Sequence, residues 1–169
     1  MGGDPTRYPR YSKLREVFQT QLKRLSAIVE QRGQSLNASA CEVLYVNPVE
    51  PKGKAEEGTH PDLATVLNRL RRPPKGAFLG QPEDSQFQAR WRIPGEDDRP
   101  AGRLYLSSAP ALSDAQRPIY LIQMIGRTIP ATPELKGVMD ALDLGHEWVV
   151  RGFADVTTNA MHQIWERED

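Results

Sequence analysis

The C-terminal part of the chain contains the residue types that most often carry chemistry. His146 is followed by Glu147, and His162 lies further on, so the segment resembles the start of a zinc hydrolase motif. That motif needs two histidines four residues apart on one face of a helix, with a glutamate beside the first. Position 150 is Val150, and the third histidine, His60, is distant in the sequence. We therefore predict no metal site, and no motif predicts a cofactor.

Other signatures of catalysis are also missing from the sequence. It contains no GxSxG elbow, no P-loop and no GxGxxG fingerprint. The single cysteine, Cys41, has no histidine near it in the sequence, so a buried thiol is the better interpretation than a nucleophile. The residues thus favour a non-catalytic protein.

His146 nevertheless falls on the apolar side of a predicted helix. At about 100° per residue, that side consists of Leu135, Val138, Met139, Leu142, Val149, Phe153 and Val156. The opposite side consists of Lys136, Asp140, Asp143, Glu147, Arg151 and Asp155, which predicts a solvated surface. Gly145 and Gly152 flank the apolar side, and each costs a helix roughly 1 kcal/mol relative to alanine, so we expect a backbone or ligand to approach closely there. His146 is then either a hydrogen-bonded core residue or a pocket residue that binds a ligand or moves a proton.

The elements that would position these residues can be predicted from periodicity. Residues 12–32 form an amphipathic helix that stops near Gly33. Its apolar side consists of Leu14, Val17, Phe18, Leu22, Leu25, Ile28 and Val29. Residues 40–47 are rich in β-branched and aromatic types and predict a strand, which Pro48 should end. A loop rich in proline, glycine and charge follows, and then a short helix that carries Leu63, Val66, Leu67 and Leu70.

The middle of the chain predicts three further strands. "QFQARWRI" alternates, with Phe87, Ala89, Trp91 and Ile93 on one side and polar residues on the other. "RLYLSS" alternates in the same way, and "PIYLIQMIGRTI" is apolar on nearly both faces and should lie centrally. Thr132 and Pro133 then predict the start of a long helix that runs to about Val156, and Thr157 or Thr158 should cap a short final helix.

These elements predict a single α+β domain over residues 1–169. An antiparallel sheet of about four strands is packed by the long C-terminal helix, with the amphipathic helix at the N-terminal side. The length of 169 residues suits one compact core. No apolar run approaches the ~20 residues of a membrane span, and the lone cysteine and the polar start predict a cytoplasmic protein without a membrane.

The charge balance bears on possible partners. Lysine plus arginine and aspartate plus glutamate number 22 each, so no whole-molecule field attracts nucleic acid. The basic residues closest together are Arg69, Arg71, Arg72 and Lys75, with Arg90 and Arg92 on the wet face of a strand. Such a patch could contact phosphates, but the zero net charge and the lack of a recognisable motif argue against nucleic-acid binding.

Three segments carry a further signal when they are taken together: "YPRYSKLREVF", "CEVLYVNPVEP" and "LDLGHEWVVRGFADVTTNAMHQIW". They resemble a sporadically distributed family of uncharacterised bacterial proteins, common in actinobacteria. The resemblance implies no particular activity. It does imply a difference, because family members usually carry a strand-helix-strand region ahead of "YPRY", where this chain begins. If that region is absent, a sheet edge or groove is exposed, and we expect an oligomer or a partner strand.

The sequence thus favours a non-catalytic binding or interaction module. Its pocket would lie between the sheet and the C-terminal helix, around His146, Tyr45, Asn47 and Trp91. The expected partner is a second copy or another protein, and a small molecule would also fit. One alternative is an enzyme with His146 as general base, and another is a subunit of a defence or toxin-neutralising system.

Overall fold

The chain forms an α+β structure in which every pair of neighbouring strands is antiparallel. The computed structural model describes residues 10–51, 60–68, 70, 78 and 82–165. In chain order the elements are helix α1 (Tyr11–Glu30), strand β1 (Cys41–Val49), a 3-10 turn (Leu63–Thr65), strands β2 (Phe87–Ile93), β3 (Gly102–Leu112) and β4 (Pro118–Thr128), and helices α2 (Leu135–Val156) and α3 (Asn159–Ile164). The predicted α+β class, with four strands and a long C-terminal helix, is confirmed.

The strand order in the sheet is β1-β4-β3-β2. Strands β2, β3 and β4 follow one another as a meander, and β1 joins on the far side of β4. The predicted central strand is therefore confirmed as β4, which lies between β1 and β3. Among the described residues, β1 and β2 are the two edges of the sheet.

Helix α2 covers one face of this sheet. It packs on β4, β1 and β3, and the core between them contains buried Leu104, Leu106, Ile122, Met124 and Val149. The alternation predicted for β2 is confirmed, since Trp91 and Ile93 turn towards this core while Arg90 and Arg92 are exposed. No helix of the described residues packs on the other face, which we call the open face.

Helix α1 lies beside α2, and its stop is the predicted one. Gly33 has a φ of 70° and its N–H donates to the Glu30 carbonyl, while the Gln34 N–H reaches back to Val29. That pair of bonds is the usual end of a helix at a left-handed residue. Unlike α2, however, α1 has no buried residue.

Pro48 does not end β1, contrary to the prediction. It lies within the strand opposite Leu121, and the pairing continues to Val49 opposite Tyr120. An edge strand tolerates proline wherever the missing N–H would face outward, and β1 is an edge strand. Proline therefore marks the edge of this sheet and not the end of the strand.

Two helix predictions, one of a short helix and one of a helix start, were also wrong. The segment around Leu63 forms only a 3-10 turn, because its backbone bonds to the end of α2, with Asn68 N–H on the Val156 carbonyl and Thr158 N–H on the Val66 carbonyl. Helix α2 begins at Leu135 with Glu134 at the N-cap, two residues later than predicted, since the backbone of Thr132 packs against Gly137 instead of continuing the helix.

The end of α2 and the start of α3 agree with the sequence. Helix α2 ends at Val156, and the Thr158 side chain accepts a bond from the Met161 N–H as a cap. Within the described ranges, no helix combines the length and the apolar character needed to cross a lipid bilayer.

Candidate binding site between α1 and α2

His146 lies on α2 between two tyrosines from different elements. Its Nδ1 is 3.2 Å from the hydroxyl of Tyr45 on β1. The ring of Tyr11, at the start of α1, stacks on the imidazole with centroids 3.6 Å apart and planes 9° from parallel. His146 therefore joins both helices to the sheet edge.

Asp143, one turn before His146, holds α1 in place. The Arg15 guanidinium binds its carboxylate through two bonds of 2.7 Å, and the Tyr11 hydroxyl donates to the same carboxylate at 2.9 Å. A two-bond guanidinium-carboxylate pair fixes orientation as well as distance. The prediction that Asp143 belongs to a solvated surface was wrong, because α1 covers that part of α2.

The protonation states follow from these contacts. The Arg15 guanidinium holds the pKa of Asp143 below its usual value, with the Tyr11 hydroxyl acting in the same direction. Burial, and then the hydrogen bond to Asp143, raise the pKa of Tyr11. Burial lowers the pKa of His146, although the charge of Asp143 opposes this. At neutral pH the site therefore contains an aspartate anion, a protonated tyrosine and a neutral imidazole.

A close backbone approach puts His146 within reach of Tyr45. A Cβ built on Gly126 of β4 would overlap the carbonyl of Gly145 on α2, so only glycine fits there. A side chain at Gly152 would contact the flexible ends of the Leu104 and Met124 side chains, which can shift. The close approach predicted from these two helix glycines is confirmed, and the group that approaches is the sheet.

A cleft of about 820 Å³ opens beside His146, between α1, the residues that lead into β1, and α2. Most of its lining is apolar, including Leu14, Phe18, Leu22, Leu36, Ala38, Val43, Leu142 and Val150. Its polar groups belong to six lining residues: Arg10, Tyr11, Arg15, Glu42, Tyr45 and His146. Such a lining suits an apolar ligand or segment held by a few polar groups.

The structure brings together only part of the predicted set of site residues. Tyr45 and His146 line the same cleft. Asn47 is two residues further along β1, in a neighbouring groove with Phe153 and Trp165. Trp91 lies on β2, at the opposite edge of the sheet, where it lines a groove on the other side of α2.

Tyr11 and Arg15 were not predicted as site residues. The signal that could have been used is spacing. Tyr11 and Arg15 are four residues apart and so share one face of α1, and Asp143 and His146, three apart, share one face of α2. Nothing local indicates that these two faces meet, because the contacts join residues 128 and 132 positions apart.

The other chemically capable residues are held in structural contacts. His60 Nε2 contacts the Ala111 carbonyl at 3.0 Å, and His162 Nε2 contacts the Thr157 hydroxyl at 2.7 Å. Cys41 is buried, which raises the pKa of its thiol and supports the buried-thiol interpretation. The described part of the chain contains no cluster of three potential metal ligands.

The basic cluster predicted near the middle of the chain cannot be placed. Arg69, Arg71, Arg72 and Lys75 lie outside the described residues.

No family model matches the chain, and no match is found among curated proteins or among solved structures. The resemblance to the bacterial family therefore stays a prediction.

Proposed function

We propose that the protein is a non-catalytic interaction module that associates with a second copy of itself through α1. One observation carries this proposal: the large apolar residues of α1 are left about half exposed. Leu14, Val17, Leu25 and Ile28 each retain between 47% and 53% of their accessible surface. Apolar surface of this kind, contiguous along a helix, is typical of an interaction site.

The exposure arises because α1 is rotated relative to its own apolar side. The residues that face the rest of the molecule are the less exposed ones, Tyr11, Arg15, Gln19, Leu22, Ser26 and Val29. Three of these six are polar, and Arg15 and Tyr11 are held by Asp143. The ion pair thus fixes the helix so that its most apolar strip is left half exposed instead of being buried against the sheet and α2.

The spacing along this strip favours a second copy over an unrelated partner. The exposed strip consists of Leu14, Val17, Gln21, Leu25 and Ile28, with steps of three, four, four and three residues. The order of the steps is the same in both directions. In an antiparallel pair of α1 helices, Leu14 would therefore face Ile28, Val17 would face Leu25, and Gln21 would face its own counterpart.

Such a pairing has the properties of a two-fold interface. The same patch serves both copies, as an isologous contact requires. The two Gln21 amides could hydrogen-bond to each other, and a single polar residue in an apolar seam fixes register and partner number. Leu44 and Val150, which line the cleft beside α1, are also exposed apolar residues.

Sedimentation velocity over a range of protein concentrations tests this proposal. We expect the wild-type protein to show a reversible monomer-dimer equilibrium. Leu25→Glu should shift it to monomer by at least tenfold in Kd, because a charge would be buried opposite Val17 of the second copy. Ala27→Glu is the matched control, since Ala27 is exposed on the other side of α1 and its change should leave the equilibrium unaltered.

Two results would contradict the proposal. One is a monomer at every concentration up to the millimolar range. The other is a dimer that responds equally to Leu25→Glu and Ala27→Glu, which would place the interface elsewhere on the molecule.

A second candidate function rests on the Tyr45-His146 pair. A neutral imidazole beside a hydroxyl, on the wall of an 820 Å³ cleft, could accept a proton from a small-molecule ligand, as in general base catalysis. The stacked Tyr11 ring covers one face of the imidazole, so a ligand would approach from the cleft side. Native mass spectrometry of the protein purified gently from its own host tests this candidate: a small added mass that is lost in His146→Ala supports it, and the same mass on both proteins excludes His146 as the contact.

A further inference from the structure

The open face of the sheet gathers arginines that are far apart in the sequence. Strand pairing puts Arg92 opposite Arg103, and Arg103 opposite Arg127, so three guanidinium groups cross three neighbouring strands in one row. We call this the arginine row. All three side chains are exposed. Like charges directly opposite each other destabilise a sheet, so a bound anion would stabilise this row.

The anions that the described residues supply to the row are few. Glu42 on β1 forms an ion pair with Arg127. Arg92 donates to the backbone carbonyl of Asp98, which carries no charge of its own. Arg103, in the middle of the row, has no carboxylate within ion-pair distance among the described residues. The row therefore keeps an excess of positive charge.

The next two rows of the open face are aromatic and then polar. Arg90 lies opposite Tyr105, which lies opposite Ile125, and the following row consists of Gln88, Ser107 and Gln123. The guanidinium carbons of Arg90 and Arg127 lie 6.0 Å and 5.6 Å from the centre of the Tyr105 ring. A shallow groove of about 450 Å³ runs across these rows.

We propose that the open face binds single-stranded nucleic acid, with the phosphates on the arginine row and a base against Tyr105. Proteins that bind single strands combine a basic groove with aromatic rings on which bases stack. The amide and hydroxyl groups of Gln88, Ser107 and Gln123 offer donors and acceptors for base edges, spaced one pleat from Tyr105. An acidic protein would satisfy the arginines but would give no use to the ring between them.

This proposal departs from the prediction made from net charge. The 22 basic and 22 acidic residues do cancel over the whole chain. On the open face they do not, since the strands place four arginines there against Glu42 alone among the described strand residues. Local charge, and not the total, decides the affinity for a polyanion.

Fluorescence anisotropy with a fluorescein-labelled 20-nucleotide oligouridine, measured from low to physiological salt, tests the proposal. We expect binding that weakens with salt, with a log-log slope of about −2 if three phosphates are neutralised, since each contributes about −0.7 on a single strand. Arg103→Glu should weaken binding at least tenfold. Tyr105→Ala should weaken it by roughly 5- to 100-fold, and Tyr105→Phe should leave it within about twofold of the wild type.

Two controls separate recognition from folding and from total charge. Lys23→Glu makes the same charge change at an exposed position of α1 and should change binding little. The melting temperature of the Arg103→Glu variant should be equal to or above that of the wild type, because the substitution places a carboxylate between Arg92 and Arg127. Loss of binding in this variant then cannot result from unfolding.

Three outcomes would overturn the proposal. The first is no binding at 50 mM salt. The second is equal competition by polyglutamate of matched charge combined with no effect of Tyr105→Ala, which would identify an acidic protein as the partner. The third is equal loss of binding in Arg103→Glu and Lys23→Glu, which would mean that only the total charge matters.

Discussion

At the scale of single residues, the close contact between Gly126 and Gly145 sets the distance between sheet and helix. Gly126→Ala should lower the free energy of unfolding by about 3 kcal/mol, because the new methyl group overlaps a backbone carbonyl that cannot move aside easily. Gly145→Ala is the comparison, since its Cβ would be 3.1 Å from the Gly126 carbonyl oxygen and alanine favours the helix. Urea denaturation of both variants checks this, and equal losses would contradict the geometry.

His146 should make the stability of the protein depend on pH. Burial lowers its pKa in the folded state, so the unfolded chain binds the proton more readily. The stability is then complete above the unfolded pKa of about 6.5 and falls as the pH drops from there through the lower folded pKa. Urea titrations at pH 7.5 and 5.5 should show this loss in the wild type and a smaller loss in His146→Gln. An unchanged loss in the variant would assign the effect to other groups.

At the scale of the elements, α1 is held by polar contacts more than by buried surface. Asp143→Asn removes the charge that binds Arg15, and we expect hydrogen exchange over residues 11–30 to rise by roughly fivefold, corresponding to about 1 kcal/mol for a partly exposed pair. Glu147→Gln is the matched control, because Glu147 pairs with Arg151 on the exposed side of α2.

Acid should loosen α1 in the wild type for the same reason. The pKa of Asp143 is lowered in the folded protein, so its contribution is complete above about pH 4, the unfolded value, and is lost as the pH falls through the folded value. Exchange in α1 that rises at pH 7 in Glu147→Gln as much as in Asp143→Asn would show that the helix is not held by this carboxylate.

At the scale of the whole molecule, the structure consists of a main core and a smaller cluster under α1. Met124 lies in the main core and is fully buried, whereas Leu22 packs against Cys41 and Val138 in the smaller cluster. Met124→Ala should cost about 2–5 kcal/mol and lower the stability of the entire sheet. Leu22→Ala should cost about 1 kcal/mol and raise exchange mainly in α1. Urea denaturation followed by tryptophan fluorescence, together with hydrogen exchange, separates the two effects, and an equal loss for both would show a single cooperative unit.

Much of the fold could be predicted because its signals are local. The alternation over Phe87–Ile93, the apolar side of α2 and the capping hydroxyl of Thr158 are each set by neighbours within a few residues. Errors occurred where distant groups intervene, as at the turn around Leu63, whose backbone bonds to the end of α2. The periodicity of apolar residues and the helix-capping residues predict the structure of short segments only, and not the contacts between distant segments.

By itself, the sequence determined the α+β class, the four strands, the direction in which His146 points on α2, and a close approach to the helix side that carries Gly145 and Gly152. Only the tertiary structure decided which residues are in contact: Asp143 contacts Arg15, and Tyr45 contacts His146. It also put Trp91 at the opposite edge of the sheet, away from that site. It also decided that Arg92, Arg103 and Arg127 form one row. The physical reason is that strand register and helix docking join positions up to 132 residues apart through packing and charge, for which the local pattern of residue types carries no signal.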